Sequence, residues 1–252
     1  MDVEKVTESL IQWIRDWFEV NGKGCKAIIG ISGGKDSTVV AKLCVEALGK
    51  HRVFGVLMPN GEQKDISDSY KVVETLGINY VVHNIEGAVN AVLDGMTASN
   101  QEISEQTRVN LPPRIRMATL YAYAQSLNGR VANTCNLSET FTGYETRWGD
   151  SVGDFSPLGN LTVSEVREIG DYLNLPHDLV HKTPIDGLNT KVDGSYVTDE
   201  DILGFTYNDI DAFIKGKPVS SDAIYDKIAT AHKNSEFKRQ PITTFNPANA
   251  NT

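Results

Sequence analysis

The sequence predicts an α/β fold, doubly wound, with a mainly parallel sheet and helices on both faces. Three observations predict it. Short apolar runs alternate with segments of helical periodicity. The runs are too uniformly apolar for strands with a solvent face and suit strands covered on both sides. The glycine-rich and polar signals fall just after the carboxyl ends of the runs, after Ile31, Met58 and Ala132, where open α/β sheets bind ligands.

Taken in order, Val6, Leu10, Ile11, Trp13, Ile14, Trp17 and Phe18 recur at helical spacing and mark an amphipathic opening helix, ended by Asn21 and Gly22. Its apolar stripe faces a core or a partner subunit. The isoleucine-rich run 25–31 reads as a buried strand, and a helix over 38–48 follows the intervening Ser32-Gly33-Gly34-Lys35-Asp36-Ser37. Residues 52–58 read as a strand, 66–76 as a helix, 80–83 as a third strand, 111–127 as a helix led by prolines and 129–132 as a fourth short strand. This alternation implies right-handed crossovers. Beyond residue 140 the texture changes. Residues 143–159 are rich in Gly, Asp, Ser and aromatics, and 183–198 are polar and aperiodic, as expected of a mobile lid. Helices resume over 199–215 and 220–235, and the tail after Pro241 is expected to be extended or frayed. No internal repeat interrupts this pattern, so residues 1–252 are expected to form a single domain, with its lid at 183–198 and a C-terminal helical part at 199–240.

The composition narrows the class. With 252 residues, 40% hydrophobic and 23% charged, the chain can bury a sizeable core. A formal net charge of −9 argues against a nucleic-acid partner, which needs a basic face, but not against a nucleotide. Cys25, Cys44 and Cys135 form no CxxC pair, and the histidines are scattered, so no structural zinc site is expected. No apolar run is long enough to span a membrane, and the charged start Met1-Asp2-Val3-Glu4-Lys5 lacks a signal-peptide core. The expected location is the cytoplasm.

Ser32-Gly33-Gly34-Lys35-Asp36-Ser37 lies between a buried strand and a helix start, the setting of a phosphate cradle. Gly33 and Gly34 permit close backbone approach to an anion, the hydroxyls of Ser32 and Ser37 add donors, and Asp36 beside phosphates makes sense with a cation such as Mg²⁺. The spacing is not that of a Walker A loop, because Asp36 follows Lys35 where a hydroxyl residue should stand. It resembles instead the SGGxDS loop of the N-type ATP pyrophosphatases, the PP-loop superfamily, which cleave ATP between its α and β phosphates.

Further segments resemble the ammonia-dependent NAD synthetase family of that superfamily. They are Val56-Leu57-Met58-Pro59, Arg114-Ile115-Arg116-Met117, Asn133-Thr134-Cys135-Asn136-Leu137-Ser138-Glu139, Thr142-Gly143-Tyr144 with Gly149-Asp150 and Asp154, Ser156-Pro157-Leu158, Lys182-Thr183-Pro184, Leu203-Gly204-Phe205-Thr206-Tyr207 and Lys238-Arg239. The resemblance implies an adenine nucleotide alpha hydrolase-like, Rossmann-like sheet. It implies that Gly30, Ile31, Ser32, Gly33, Gly34, Lys35, Asp36 and Ser37 hold the ATP phosphates, with Met58, Thr134 and Lys182 also on ATP. Asp36 and Glu139 would carry Mg²⁺ and be the catalytic acids. Arg114, Arg147, Asp154 and Lys238 would contact deamido-NAD. Three positions depart from the family pattern: Val163 and Ile185 replace ATP-contacting residues, and Phe237 replaces the histidine of a His-Lys pair.

The implied reaction is adenylation of the deamido-NAD carboxylate by ATP with loss of pyrophosphate, then displacement of AMP by ammonia. Positioning and charge neutralisation would carry it, with no covalent nucleophile. Only about 25 residues precede the first strand, too few for the amidase domain of glutamine-dependent relatives, so ammonia is the expected nitrogen donor. Family resemblance also implies a homodimer. The rival readings are another adenylating amidase or ligase of the PP-loop superfamily, a catalytically weak homologue that senses nucleotide, and an ADP-forming ATPase or kinase, against which the absence of a Walker or kinase signature counts.

Overall fold

In the computed structural model, which describes residues 1–182, 185–190 and 196–246, the opening amphipathic segment forms α1 (Val3–Asn21). Asp2 caps it by accepting from the Lys5 amide at 3.2 Å, and Thr7, Ile14 and Phe18 are its buried residues. The chain continues through β1 (Lys26–Gly30), α2 (Lys35–Leu48), β2 (Val53–Leu57), α3 (Ile66–Leu76), β3 (Asn79–Val82), α4 (Glu86–Ala98), α5 (Glu105–Ser126) and β4 (Gly129–Val131). Beyond the sheet come α6 (Leu137–Thr142), α7 (Val163–Tyr172), α8 (His177–Val180), β5 (Ile185–Thr190), β6 (Tyr196–Thr198), α9 (Asp199–Leu203), α10 (Tyr207–Ile214), α11 (Asp222–Asn234) and α12 (Glu236–Arg239).

The first four strands form one parallel sheet in the order β3-β2-β1-β4. Its centre is β1, where Ala27 stands beside Val53 on one side and Arg130 on the other. Successive side chains of a strand leave opposite faces, so Ile28 and Ile29, both fully buried, enter two different cores. Ile29 joins Ile14, Phe18, Val39, Leu43, Val166 and Ile169 beneath α1, α2 and α7. Ile28 joins Val56, Ile85, Val89 and Ala124 beneath α4 and α5. Each such side chain contributes about 1.5–3 kcal/mol by leaving water, which is why this strand reads so plainly in the sequence. A third cluster, Val163, Phe205, Tyr207, Ile210 and Ile228, holds the C-terminal helices against α7.

Four expectations need correction. The helix expected over 111–127 starts earlier, at Glu105, because Ser104 accepts from the Thr107 amide at 3.2 Å and caps it; Pro112 and Pro113 lie inside α5 instead of leading it. The single helix expected over 199–215 is two, split where Gly204 takes a left-handed φ of 74° and Thr206 caps a new start. Helices α4 and α7 were not foreseen. The stretch 183–198, read as a polar loop without periodicity, contains the antiparallel pair β5–β6; residues 183–184 and 191–195 of that stretch lie outside the described residues. The backbone hydrogen bonds of an antiparallel pair form without the apolar periodicity by which the sequence was read. The tail has no helix or strand over 241–246, and 247–252 lie outside the described residues. Among the described residues no helix is long and apolar enough to cross a membrane.

Candidate active site

The loop between β1 and α2 turns at Gly33, whose φ is +82°. A Cβ there would come within 2.8 Å of the Asp68 Cβ and of the Ser69 amide nitrogen, so only glycine fits between the loop and α3. The hydroxyls close the loop on itself. Ser32 Oγ and Ser37 Oγ are 3.1 Å apart, and Gly34 donates its amide to Ser32 Oγ at 3.2 Å. Ser37 and Thr38 donate to the Gly34 carbonyl at 3.2 and 2.7 Å. Gly34 is the extended cap of the 14-residue α2, so the loop ends at a helix N-terminus that favours an anion. Gly30 and Ile31 lead into the loop. The tip of Met58, from the end of β2, would be 3.2 Å from a Cβ on Gly30, which brings Met58 to the same place. Arg116, on α5, donates Nε to the Met58 carbonyl at 3.1 Å and anchors that corner.

The second half of the site follows β4. Asn136, fully buried, caps α6 and forms a capping box with Glu139: its side chain accepts from the Glu139 amide at 3.1 Å, and its own amide donates to Glu139 Oε2 at 3.2 Å. Its side-chain amide also donates to Asp36 Oδ1 at 3.1 Å. Asp36 and Glu139 therefore face one another across the loop, with Lys35 on both. Lys35 Nζ donates to Asp36 Oδ2 at 2.7 Å and lies 4.0 Å from Glu139 Oε1, in a side chain only 4% exposed. Burial works against the Lys35 charge, but Asp36 and Glu139 outweigh it and raise the pKa above the ordinary value. Burial and the neighbouring Asp36 charge push the Glu139 carboxyl up to about 8, against the pull of Lys35. Two carboxylates facing one another in a half-buried site are a hard-oxygen donor set that fits Mg²⁺. Among the described residues no larger cluster of acids, histidines and cysteines competes with this pair for a metal.

Thr134 stands half-buried between β4 and α6, close in sequence to this corner. Lys182 donates to Asp65 at 2.8 Å and Asp68 at 2.6 Å; Asp68 is the residue against Gly33, so Lys182 reaches the back of the loop through α3. The remaining expected contacts form a second group away from the carboxylates. Arg114 donates to the Arg147 carbonyl at 3.4 Å. Arg147 donates to the Gln240 carbonyl at 3.2 Å and stacks over Trp148 and the exposed Phe237, and its Nε is buried without a partner. Lys238 donates to the carbonyls of Gly143 and Glu145, both at 2.7 Å. Asp154 stands apart from that group, accepting from the Val131 amide at 2.7 Å and from the Tyr121 hydroxyl at 3.3 Å beside a small cleft of about 280 Å³.

Of the three departures, Val163 is fully buried in the C-terminal cluster, so that position belongs to the core here. The Ile185 side chain lies outside the described residues. Sequence reading missed Asn136 as the link between the two carboxylates, although Asn136-x-x-Glu139 is a capping-box signal. It also missed Arg167 on α7, whose charge opposes that of Lys35 and whose Nε is buried without a partner. No spacing pattern pointed to Arg167.

The NAD synthase family model matches residues 6–242. The NH3-dependent NAD(+) synthetase of Pyrococcus furiosus is 36% identical over 253 residues, covering 95% of this chain and 93% of that protein. Among solved structures, NMN synthetase from Francisella tularensis superposes with a TM-score of 0.87 at 34% identity, covering 98% of this chain and 99% of the other. The NH3-dependent NAD synthetase from Campylobacter jejuni superposes with a TM-score of 0.77 at 26% identity, covering 98% and 100%.

Proposed function

The chain belongs to the NAD synthase family, and from that membership we propose that it amidates deamido-NAD to NAD with ATP and ammonia. The observation that carries the reading is the convergence of Asp36 and Glu139, from opposite halves of the chain, beside a loop that only glycine can turn. The loop from Gly30 to Ser37 grips the phosphates, with Met58, Thr134 and Lys182 completing the ATP site. Asp36 and Glu139 would hold Mg²⁺, which would supply positive charge to the phosphates. Arg114, Arg147, Asp154 and Lys238 hold the deamido-NAD. Its nicotinate carboxylate attacks the α-phosphorus, pyrophosphate leaves, and ammonia displaces AMP from the adenylate. The protein positions the reactants and keeps water from the mixed anhydride. It works in the cytoplasm as a homodimer, with no nucleic-acid or membrane partner.

The test is a reaction of purified protein with deamido-NAD, ATP, Mg²⁺ and ammonium. NAD with stoichiometric AMP and pyrophosphate supports the reading; ADP in place of AMP contradicts it, and nucleotide binding without turnover marks a sensor. A second reading is favoured by one observation, the closeness to the Francisella tularensis NMN synthetase: the same amidation performed on a mononucleotide. Competing nicotinate mononucleotide against deamido-NAD in the same assay separates the two by their kcat/KM ratio.

A further inference from the structure

Lys35 is the first residue of α2, a position where a lysine side chain ordinarily reaches solvent; here it turns inward and is 4% exposed. Its ammonium sits against Asp36 Oδ2 at 2.7 Å and Glu139 Oε1 at 4.0 Å, with the ring of Tyr207 5.5 Å away on another side. The tyrosine hydroxyl is directed elsewhere, to Asp199 at 3.2 Å. A buried ammonium requires opposite charge, and two adjacent half-buried carboxylates require the same in return. The ammonium is a compact point charge on a flexible stem, able both to fill a cation position and to leave it.

We propose that Lys35 is an internal counter-ion occupying the cation position between Asp36 and Glu139, and that a divalent cation must displace its ammonium in order to bind. The proposal rests on Asp36 and Glu139 being the metal ligands. With Lys35 in place the negative charge of the pair is already offset, and an incoming divalent ion meets a positive charge only a few ångströms away. The pair alone is therefore a weak metal site. The arriving polyphosphate strengthens it, because its oxygens complete the coordination of the metal and offer the displaced ammonium a new anion. The lysine thus ties metal entry to nucleotide entry, and the two carboxylates stay neutralised in between.

Mn²⁺ binding to nucleotide-free protein, followed by electron paramagnetic resonance, reads this directly. Lys35→Met is expected to bind Mn²⁺ roughly tenfold or more tightly than the wild type, the effect of removing one adjacent like charge. Equal or weaker binding in Lys35→Met overturns the proposal. A second measurement needs no variant: amine acylation of the wild-type chain, with Lys35 modification quantified by mass spectrometry. Modification is expected to rise as Mg²⁺ is raised to saturation of the metal-free protein, and an unchanged rate at saturating Mg²⁺ overturns the displacement. Mn²⁺ binding to neither protein removes the metal ligands themselves and the proposal with them; the NAD-forming assay, read separately, judges the reaction.

Discussion

The Asn136 side-chain amide donates to Asp36 at 3.1 Å across 100 residues of sequence, while its backbone amide donates to Glu139 at 3.2 Å. One neutral residue thereby fixes one oxygen of each acid and leaves the other to face Lys35, Asp36 Oδ2 at 2.7 Å and Glu139 Oε1 at 4.0 Å. Replacing it with alanine removes a helix cap and a buried hydrogen bond together. Asn136→Ala is expected to lose about 1–3 kcal/mol of stability and to weaken Mg²⁺-dependent turnover. Thermal unfolding and the NAD-forming assay check the two effects, and unchanged values in both would detach Asn136 from the site.

Asp36→Ala and Glu139→Ala are each expected to reduce turnover by a hundredfold or more, the order seen when a group stabilising transition-state charge is lost. Neither should unfold the protein, since each removes like-charge repulsion along with the bond to Lys35. Circular dichroism confirms the fold and the assay measures the loss. Full activity in either variant excludes that residue from the metal site.

The Glu139 carboxyl titrates near 8 in the fold, against an ordinary value of 4.5. Between those values the folded metal-free protein holds a proton that the unfolded chain has released, so this group stabilises below 4.5 and the contribution is lost as pH rises through 8. A divalent cation needs the ionised carboxylate, so its binding expels that proton. Added Mg²⁺ should therefore raise the melting temperature more at about pH 8 than at about pH 6. Melting curves with Mg²⁺ and with EDTA at both pH values test this; a reversed order contradicts it.

Gly33→Ala forces a Cβ to within 2.8 Å of Asp68 and Ser69 at a φ of +82°. The expected cost is at least about 1–3 kcal/mol, with the loop pushed from α3 and the KM for ATP raised. Gly24→Ala has a similar φ, +74°, but nothing within 4 Å, and serves as the control for backbone strain alone. Equal destabilisation by the two would show that the contact with α3 contributes nothing.

The middle of the sheet was legible because β1 and β2 are buried on both faces, as Ile28 and Ile29 show, whereas the edge strand β3 is largely exposed. The turn from β1 into α2 was legible because its glycine-rich residues are contiguous. What escaped lies in features without that periodicity. Helix α4 carries Gly87 and Gly95, which weaken its helical signal, and α9 and α10 read as one helix because Gly204 alone divides them. The pairing of Asp36 with Glu139 rested on the family resemblance, since no local pattern ties positions so far apart. The position of Lys35 between them, and of Val163 in the core, required the packed structure.

The register of β4 against β1, Val131 beside Ile28, joins segments about a hundred residues apart, and α6 with Asn136 and Glu139 follows directly from that edge. Such long-separation pairing forms late and slowly, because chain closure must come before the contacts that reward it. During synthesis the phosphate loop is therefore complete long before its second acid has left the ribosome, and for that interval Asp36 has Lys35 as its neighbouring cation. Hydrogen exchange pulsed during refolding should find the amides of β2 protected ahead of those of β4. The order of assembly thus leaves the Asp36 side of the candidate site without its second acid until β4 has docked beside β1.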